Sequence, residues 1–221
     1  MNRRPAIMRG AGALLVGGLV LGCSAHSGAE TEAANASLEQ HTLTKLPESV
    51  EHKSYIDFGG KVQLLGYSVS PTDVARPGSR ISLVLYWQRT GRLDAGWGLF
   101  THILDDSGQQ LAQRDSSGPL RAAGPDGVQT LGPSAWELGK IYVDEIDFEV
   151  PRTRQIGDKQ VPLRTESITL AVGVWKGAAR LDVLGSSSDA YRRSLLTRLK
   201  TGLKREAKPT PKEASNENKD G

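Results

Sequence analysis

Short apolar runs separated by turn-forming residues dominate the middle of the chain. In the clearest of them, Ile81, Leu83, Leu85 and Trp87 occupy alternate positions. Because successive side chains of a strand point to opposite faces, this spacing predicts an antiparallel strand with one buried face. Similar runs cover residues 62–69, 97–104, 110–115, 141–150, 167–175 and 180–184. The pattern predicts an all-β domain over residues 55–185, a single Ig-like antiparallel β-sandwich of about seven strands.

The spacing of apolar residues changes near the C-terminus. Leu195, Leu196, Leu199 and Leu203 recur every three or four residues, which predicts an amphipathic helix over residues 189–205. Basic side chains surround this stripe, namely Arg192, Arg193, Arg198, Lys200, Lys204 and Arg205. A basic amphipathic helix suits an anionic membrane surface or an acidic partner. The sequence equally allows the leucines to dock on the sandwich, so both hypotheses stay open.

Two polar segments flank the predicted domain. Residues 23–54 are rich in Ala, Ser, Glu and Thr and show no sustained apolar period, so we expect a flexible tether. Residues 206–221 are rich in Lys, Glu, Pro and Asn, a composition typical of a disordered tail. The stretch between these segments is a comfortable size for one hydrophobic core.

The first 22 residues have the organisation of a signal peptide. Arg3, Arg4 and Arg9 precede an uncharged apolar run over residues 11–22. The run is too short for a membrane-spanning helix, which needs about 20 apolar residues. We therefore expect the chain to be exported and its first 22 residues to be removed.

The apolar run ends at Cys23, the only cysteine of the chain. Val20-Leu21-Gly22-Cys23 resembles the lipobox of bacterial lipoproteins. The resemblance implies cleavage before Cys23, attachment of lipid such as palmitate to its thiol, and anchoring in a membrane. Ser24 after the cysteine implies sorting to the outer membrane. With its one cysteine lipidated the chain has no disulfide, so core packing alone must hold the fold.

The basic character of the whole chain comes from the predicted signal peptide. Three of the 28 Lys and Arg residues lie there, whereas all 25 Asp and Glu residues follow it, so the remainder is balanced. Residues 23–189 hold 16 basic and 21 acidic residues, and the C-terminal stretch carries the basic excess. A mildly acidic domain does not suit a polyanion, so no nucleic-acid partner is expected.

Several motifs of the domain resemble a recurrent bacterial β-sandwich module. The module is often appended to the extracytoplasmic side of multi-pass glycosyltransferases that use lipid-linked sugars. The matching motifs are Phe58-Gly59-Gly60, residues 62–67, Arg76-Pro77-Gly78, residues 83–88, residues 100–105, residues 112–115, residues 136–139 and residues 168–174. The likeness covers most of residues 55–184 and implies a link to glycans. The transferase half is absent here and the motifs are structural, so no activity carries over.

Polar residues inside the predicted strands are the first candidates for a site. His102 lies among apolar residues, where we expect a core link to the backbone or to Asp115 rather than a metal ligand. Zinc needs three or four converging ligands, and the other histidines fall in or beside the tether, so no metal or cofactor is predicted. Arg114 and Asp115 either form an ion pair that pins the hairpin or contact a ligand.

A long loop over residues 116–139 is the second candidate. Loops of this length are often functional or mobile. Trp136 at its end, with Trp97, either stacks on a sugar ring or caps the core, and burial is the commoner fate of an indole. Glu145, Asp147 and Glu149 share one face of a predicted strand, which favours a solvated surface over calcium binding or glycoside hydrolysis.

These observations predict a non-catalytic lipoprotein of the cell envelope. Its sandwich is expected to bind or scaffold a glycan or an envelope protein, as an accessory to surface glycan assembly. The alternative is an enzyme acting on envelope carbohydrate. That alternative lacks a recognisable nucleophile, acid pair or metal motif, so no catalytic residue is predicted.

Overall fold

The computed structural model describes residues 25–185 and 188–204. The helices in these ranges are α1 (Ala25–Gln40) and two single-turn 3₁₀ helices, Pro119–Arg121 and Pro133–Ala135. The strands are β1 (Thr42–Leu43), β2 (His52–Phe58), β3 (Val62–Ser70), β4 (Arg80–Arg89), β5 (Gly98–Leu104), β6 (Gln110–Gln113), β7 (Ile141–Glu149), β8 (Thr153–Ile156), β9 (Lys159–Pro162), β10 (Ser167–Lys176), β11 (Ala179–Arg180), β12 (Val183–Leu184) and β13 (Ser194–Lys200). The predicted signal peptide, Cys23, Arg205 and the predicted tail over residues 206–221 lie outside the described residues.

The strands form two antiparallel sheets and a separate hairpin. The first sheet has the order β1-β7-β4-β3-β2-β12. The second has the order β11-β10-β5-β6, with β13 also paired to β10, and β8 and β9 form the hairpin. Side chains from both sheets share one hydrophobic core cluster. The predicted all-β antiparallel sandwich is therefore confirmed.

Alternation along the strands decides which side chains enter the core. On β4, the four residues Ile81, Leu83, Leu85 and Trp87 are fully buried, as their spacing predicted. On β5, Leu99 and Ile103 belong to the core cluster, whereas Phe100 and His102 point to the outer face of the second sheet. Every residue of β5 is nevertheless buried, so other parts of the chain must cover that outer face.

The predicted C-terminal helix over residues 189–205 is wrong, because Ser194–Lys200 form β13. Ser167 pairs with Lys200 and Val172 with Ser194, which adds β13 to the second sheet beside β10. A bulge explains the misleading leucine spacing. The register shifts where Leu170 pairs with Thr197 and the next residue of β10 pairs with Leu195.

The extra residue of this bulge is Leu196. A bulge places two residues opposite one and interrupts the strict alternation of faces. Leu196 and Leu199, three positions apart, can thus both pack against the core. A spacing of three also indicates a helix, and this coincidence accounts for the error.

The predicted flexible tether over residues 23–54 is also wrong for its described part. Residues 25–40 form α1, and Thr42 and Leu43 pair with β7. Leu38 is buried in the core cluster, and Val50 is buried close to β3. Too few apolar residues make these contacts for a period to show in the sequence.

No helix among the described residues is long and apolar enough to cross a membrane.

The pattern predicted one strand over residues 180–184, but this segment forms two short strands in different sheets. Ala179 and Arg180 pair with the end of β10, whereas Val183 and Leu184 pair with β2 in the first sheet. The chain therefore crosses from one sheet to the other within this segment. The domain also begins earlier than predicted, since β2 starts at His52.

The long loop over residues 116–139 is anchored by a fully buried ion pair. Arg121 Nη2 lies 2.7 Å from Asp144 Oδ2, and neither side chain is exposed. Asp144 occupies an inward position on β7 and also accepts a 3.3 Å hydrogen bond from Trp87 Nε1. A second anchor is the Gln129 side chain, whose amide exchanges hydrogen bonds of 2.8 and 2.7 Å with the Leu99 backbone. The loop is therefore part of the packed structure.

Candidate functional site

A cavity of about 520 Å³ opens on the outer face of the second sheet. Its lining comes from β5, β6, the end of β10, β11 and the segment that precedes β13. We call it the outer pocket. Its volume lies within the range of small-molecule sites in proteins, roughly 300–1,000 Å³.

The floor of the outer pocket is aromatic. Phe100 and His102 occupy successive outward positions on β5, with ring centroids 4.7 Å apart. The Phe100 ring lies directly over Gly173 of β10, where an added Cβ would come within 2.3 Å of the ring. Only glycine leaves room for the ring to lie this close to the sheet. Trp175, two residues further along β10, completes the floor.

Polar side chains form one side of the pocket. Gln110 and Gln113 come from β6, and Asp115 follows that strand. Asp115 Oδ1 accepts a 3.2 Å hydrogen bond from the Thr101 N–H, and its Oδ2 lies 3.9 Å from His102 Nε2. His102 is buried on this outer face, and its Nε2 lies too far from Asp115 Oδ2 for the hydrogen bond that was predicted.

Two buried ring nitrogens of the floor have no hydrogen-bond partner among the described residues. They are Nδ1 of His102 and Nε1 of Trp175. Buried polar atoms are normally paired, so such atoms in a pocket need an explanation, for which a ligand or an ordered water suffices. The described residues contain no group of His, Cys, Asp or Glu side chains able to hold a metal ion.

Arg180 closes the opposite side of the pocket. Its guanidinium carbon lies 4.7 Å from the centre of the Phe100 ring, within cation–π range. Arg180 Nη1 donates a 2.7 Å hydrogen bond to the Tyr191 carbonyl oxygen. Among the described residues no carboxylate lies within 4.0 Å of this guanidinium.

Residues 188–193, which we call the strap, form the rest of the wall. Asp189 Oδ1 accepts hydrogen bonds from the N–H groups of Tyr191 and Arg193, at 2.9 and 3.2 Å. Arg193 Nε donates to Asp189 Oδ2 at 2.6 Å, and its Nη2 donates to the Gly108 carbonyl. Tyr191 is left 65 % exposed at the pocket mouth. The strap is therefore held in place from within and from the β5–β6 turn.

The two tryptophans predicted as candidates do not contribute to this site. Trp136 is 1 % exposed, stacks on Tyr142 and donates from Nε1 to the Leu131 carbonyl at 2.8 Å. Trp97 is buried and donates from Nε1 to Asp94. Of the two interpretations of these indoles, burial is confirmed and sugar stacking is wrong.

Arg114 and Asp115 do not form the predicted ion pair. Arg114 Nη1 donates to the Gln113 carbonyl at 2.8 Å, and its guanidinium lies 5.7 Å from the Phe148 ring. Asp115 points instead to the pocket floor, as described above. Of Arg114 and Asp115, only Asp115 lines the outer pocket.

The basic residues that were predicted to share one helix face do not form that surface, because residues 194–200 form a strand. Arg193 is buried against Asp189, Arg192 Nε lies 2.5 Å from Asp182 Oδ1, and Arg198 Nε donates to Ser167 Oγ at 2.6 Å. Lys200 and Lys204 are exposed. A basic helix face for a membrane or an acidic partner is therefore not formed by the described residues.

The acidic stripe on β7 faces solvent, as its spacing predicted. Glu145, Asp147 and Glu149 are exposed. The pKa of Asp147 lies below its usual range, because Arg80 donates a 2.8 Å hydrogen bond to its carboxylate. An exposed ion pair of this kind explains the stripe without a bound cation.

The chain matches no protein-family model and no curated protein. The site must therefore be interpreted from its own chemistry. Phe100, Arg180 and Tyr191 were not predicted as site residues, because they lie in three separate segments of the chain. An aromatic residue beside basic residues at 191–193 was the one available signal.

Proposed function

We propose that this protein is a non-catalytic, lipid-anchored component of the bacterial envelope whose sandwich binds a glycan in the outer pocket. The observation that carries the proposal is the pairing of aromatic and polar side chains around one open cavity. Tyr191 and Trp175 line the cavity with aromatic rings, which can contact the C–H groups of a sugar. Gln110, Gln113 and Asp115 offer the amide and carboxylate groups that fix hydroxyl orientation.

The lining supports binding rather than glycoside hydrolysis. Hydrolysis uses two carboxyl groups that flank the scissile bond. Among the described residues that line the pocket, Asp115 alone carries a carboxylate, and that group is already engaged by the Thr101 N–H and lies near His102. A pocket of this composition can hold and orient a sugar, which suits an accessory role in surface glycan assembly.

Export and anchoring rest on the first 23 residues. The signal-peptide pattern and the lipobox resemblance at Cys23 support lipidation, with the outer membrane as the destination. Residues 25–40 form α1, so the segment that would join lipid on Cys23 to the sandwich is helical over these residues rather than a long flexible tether.

A glycan array tests the binding part of the proposal. Tyr191→Ala removes an exposed ring at the pocket mouth, so we expect loss of the glycan signal with an unchanged urea midpoint. Tyr55→Ala is the matched control, because Tyr55 is 62 % exposed but lies on β2 of the first sheet. An array without signal for the unmodified protein, or equal loss in both variants, would rule out glycan binding at this pocket.

Membrane fractionation tests the anchoring part. The unmodified precursor should be processed, labelled by a fatty-acid analogue and recovered with outer membranes. Cys23→Ser should abolish both the label and the membrane recovery. Identical processing and fractionation of the two proteins would refute lipidation at this cysteine.

A further inference from the structure

We propose that the outer pocket selects an acidic sugar, whose carboxylate is bound by the guanidinium of Arg180. This inference rests on the proposed glycan binding and adds the chemical class of the ligand. It follows from the state of the two arginines that line the pocket, because Arg180 is the one that no carboxylate among the described residues neutralises.

The other charged side chains of the pocket already have partners. Arg192 is neutralised by Asp182, with 2.5 Å between Nε and Oδ1. Asp115 uses Oδ1 for the Thr101 N–H and directs Oδ2 toward His102. Arg180 by contrast is half-buried and, among the described residues, makes a single hydrogen bond, from Nη1 to a neutral carbonyl. A partly desolvated cation of this kind favours an anionic ligand.

The guanidinium of Arg180 is also held in a fixed plane. It lies over the Phe100 ring, which in turn rests on Gly173, and its Nη1 is tied to the strap. A planar guanidinium has five donors in a rigid fork that matches a carboxylate bidentately. Because the fork is oriented before the ligand arrives, little side-chain entropy is lost on binding.

Because Arg180 lies beside Tyr191, we infer that the anionic ligand is a sugar acid. Arg180 donates to the backbone carbonyl of the residue that carries the exposed ring. In a uronic acid the carboxylate is attached directly to the pyranose ring, so charge and ring face lie within one residue of the glycan. Arg180 can then bind the carboxylate while the aromatic groups contact the ring.

Saturation-transfer NMR with four monosaccharide probes tests this inference on the purified protein. Glucuronate and galacturonate are compared with glucose and galactose, their neutral counterparts. We expect a uronate to bind about tenfold or more tightly than its neutral counterpart, the effect of one charge-assisted hydrogen-bonding pair. Raising the salt concentration should reduce this preference.

Arg180→Gln should remove the preference for uronates, and an unchanged urea midpoint shows that the variant is folded. Arg80→Gln is the control: Arg80 is an exposed arginine on β4 of the first sheet and does not line the pocket, so the uronate preference should persist. Equal binding of uronates and hexoses, or an unchanged preference in Arg180→Gln, would overturn the acidic-sugar inference alone. No binding of any probe or arrayed glycan would overturn the proposed function as well.

Discussion

Replacing Arg121 by methionine tests whether the buried ion pair holds the long loop in place. The arginine donates to Asp144 from Nε at 3.0 and 3.3 Å and from Nη2 at 2.7 Å, and Nη1 donates to the Arg114 carbonyl at 3.1 Å. Methionine fills part of the volume but leaves the Asp144 carboxylate with a single donor, Trp87 Nε1. Removing one partner of a buried pair costs about 3–5 kcal/mol, since the remaining charge is uncompensated.

Urea unfolding followed by tryptophan fluorescence measures this cost. A slope of about 2 kcal/mol per molar urea converts the expected loss into a fall of about 2 M in the midpoint. The matched control is Arg80→Met, which breaks an ion pair of nearly equal length, 2.8 Å to Asp147, between side chains 75 % and 50 % exposed. An exposed pair of this kind contributes less than about 1 kcal/mol, so this midpoint should barely move.

A double variant, Arg121→Met with Asp144→Leu, separates the charge from the packing. Neither charge is then left buried alone, and the main remaining cost is the unpaired indole N–H of Trp87, about 1–3 kcal/mol. We therefore expect the double variant to be more stable than Arg121→Met. If Arg121→Met costs no more than Arg80→Met, or if Asp144→Leu adds to the loss, the buried ion pair does not hold the loop in this way.

Three further predictions follow from burial and charge. The pKa of Asp94 is lowered from 3.8 to about 2 by hydrogen bonds from Lys176 and the Trp97 indole, so its NMR titration should have a midpoint near 2 and rise in Lys176→Met. Its contribution to stability is accordingly present above pH 3.8 and lost as the pH falls through about 2. Leu199→Ala should cost about 2–5 kcal/mol in urea, whereas Leu195→Ala should change the free energy of unfolding by about 0.5 kcal/mol. Trp136→Ala should cost about 3–5 kcal/mol by the same measurement.

The strands inside the sheets are the part of the fold that the sequence predicts well. A strand with one buried face must alternate, and β4 does so without exception between Ile81 and Trp87. A strand covered on both faces must be largely apolar, as residues 99–104 of β5 are. Burial constrains each of these positions separately, so the pattern is strong enough to show in one sequence.

The strand errors arise where few contacts hold an element or where a bulge breaks the alternation. β1 has two residues, and the helix before it packs against the core through Leu38 and Ala34, so neither element produces a period. β13 carries its bulge at Leu196, which moves the core-facing leucines to a helical spacing. In both cases tertiary pairing decides the conformation, and its partners lie far away in the sequence.

The buried ion pair shows which part of such a pairing can be predicted from the sequence. Asp144 falls between Tyr142 and Ile146 on the inward face of β7, and a carboxylate in a core-facing row indicates a buried partner. Its partner could not be chosen from the sequence, because Arg121 lies 23 residues away in an irregular loop. The position of one charge was therefore predictable, but the pairing was not.

The outer pocket depends on β13, the strand that the sequence pattern did not predict. The chain leaves the first sheet after Leu184 and must return to the second sheet at Ser194, because β13 pairs with β10. The strap lies on this return path, and it supplies both Tyr191 and the carbonyl that fixes the Arg180 guanidinium. A helix over residues 189–205 would have left Phe100 and His102 without this cover. The proposed glycan binding at the pocket therefore requires β13 to pair with β10. A variant that still binds glycans there after this pairing is lost would contradict the assignment of the site.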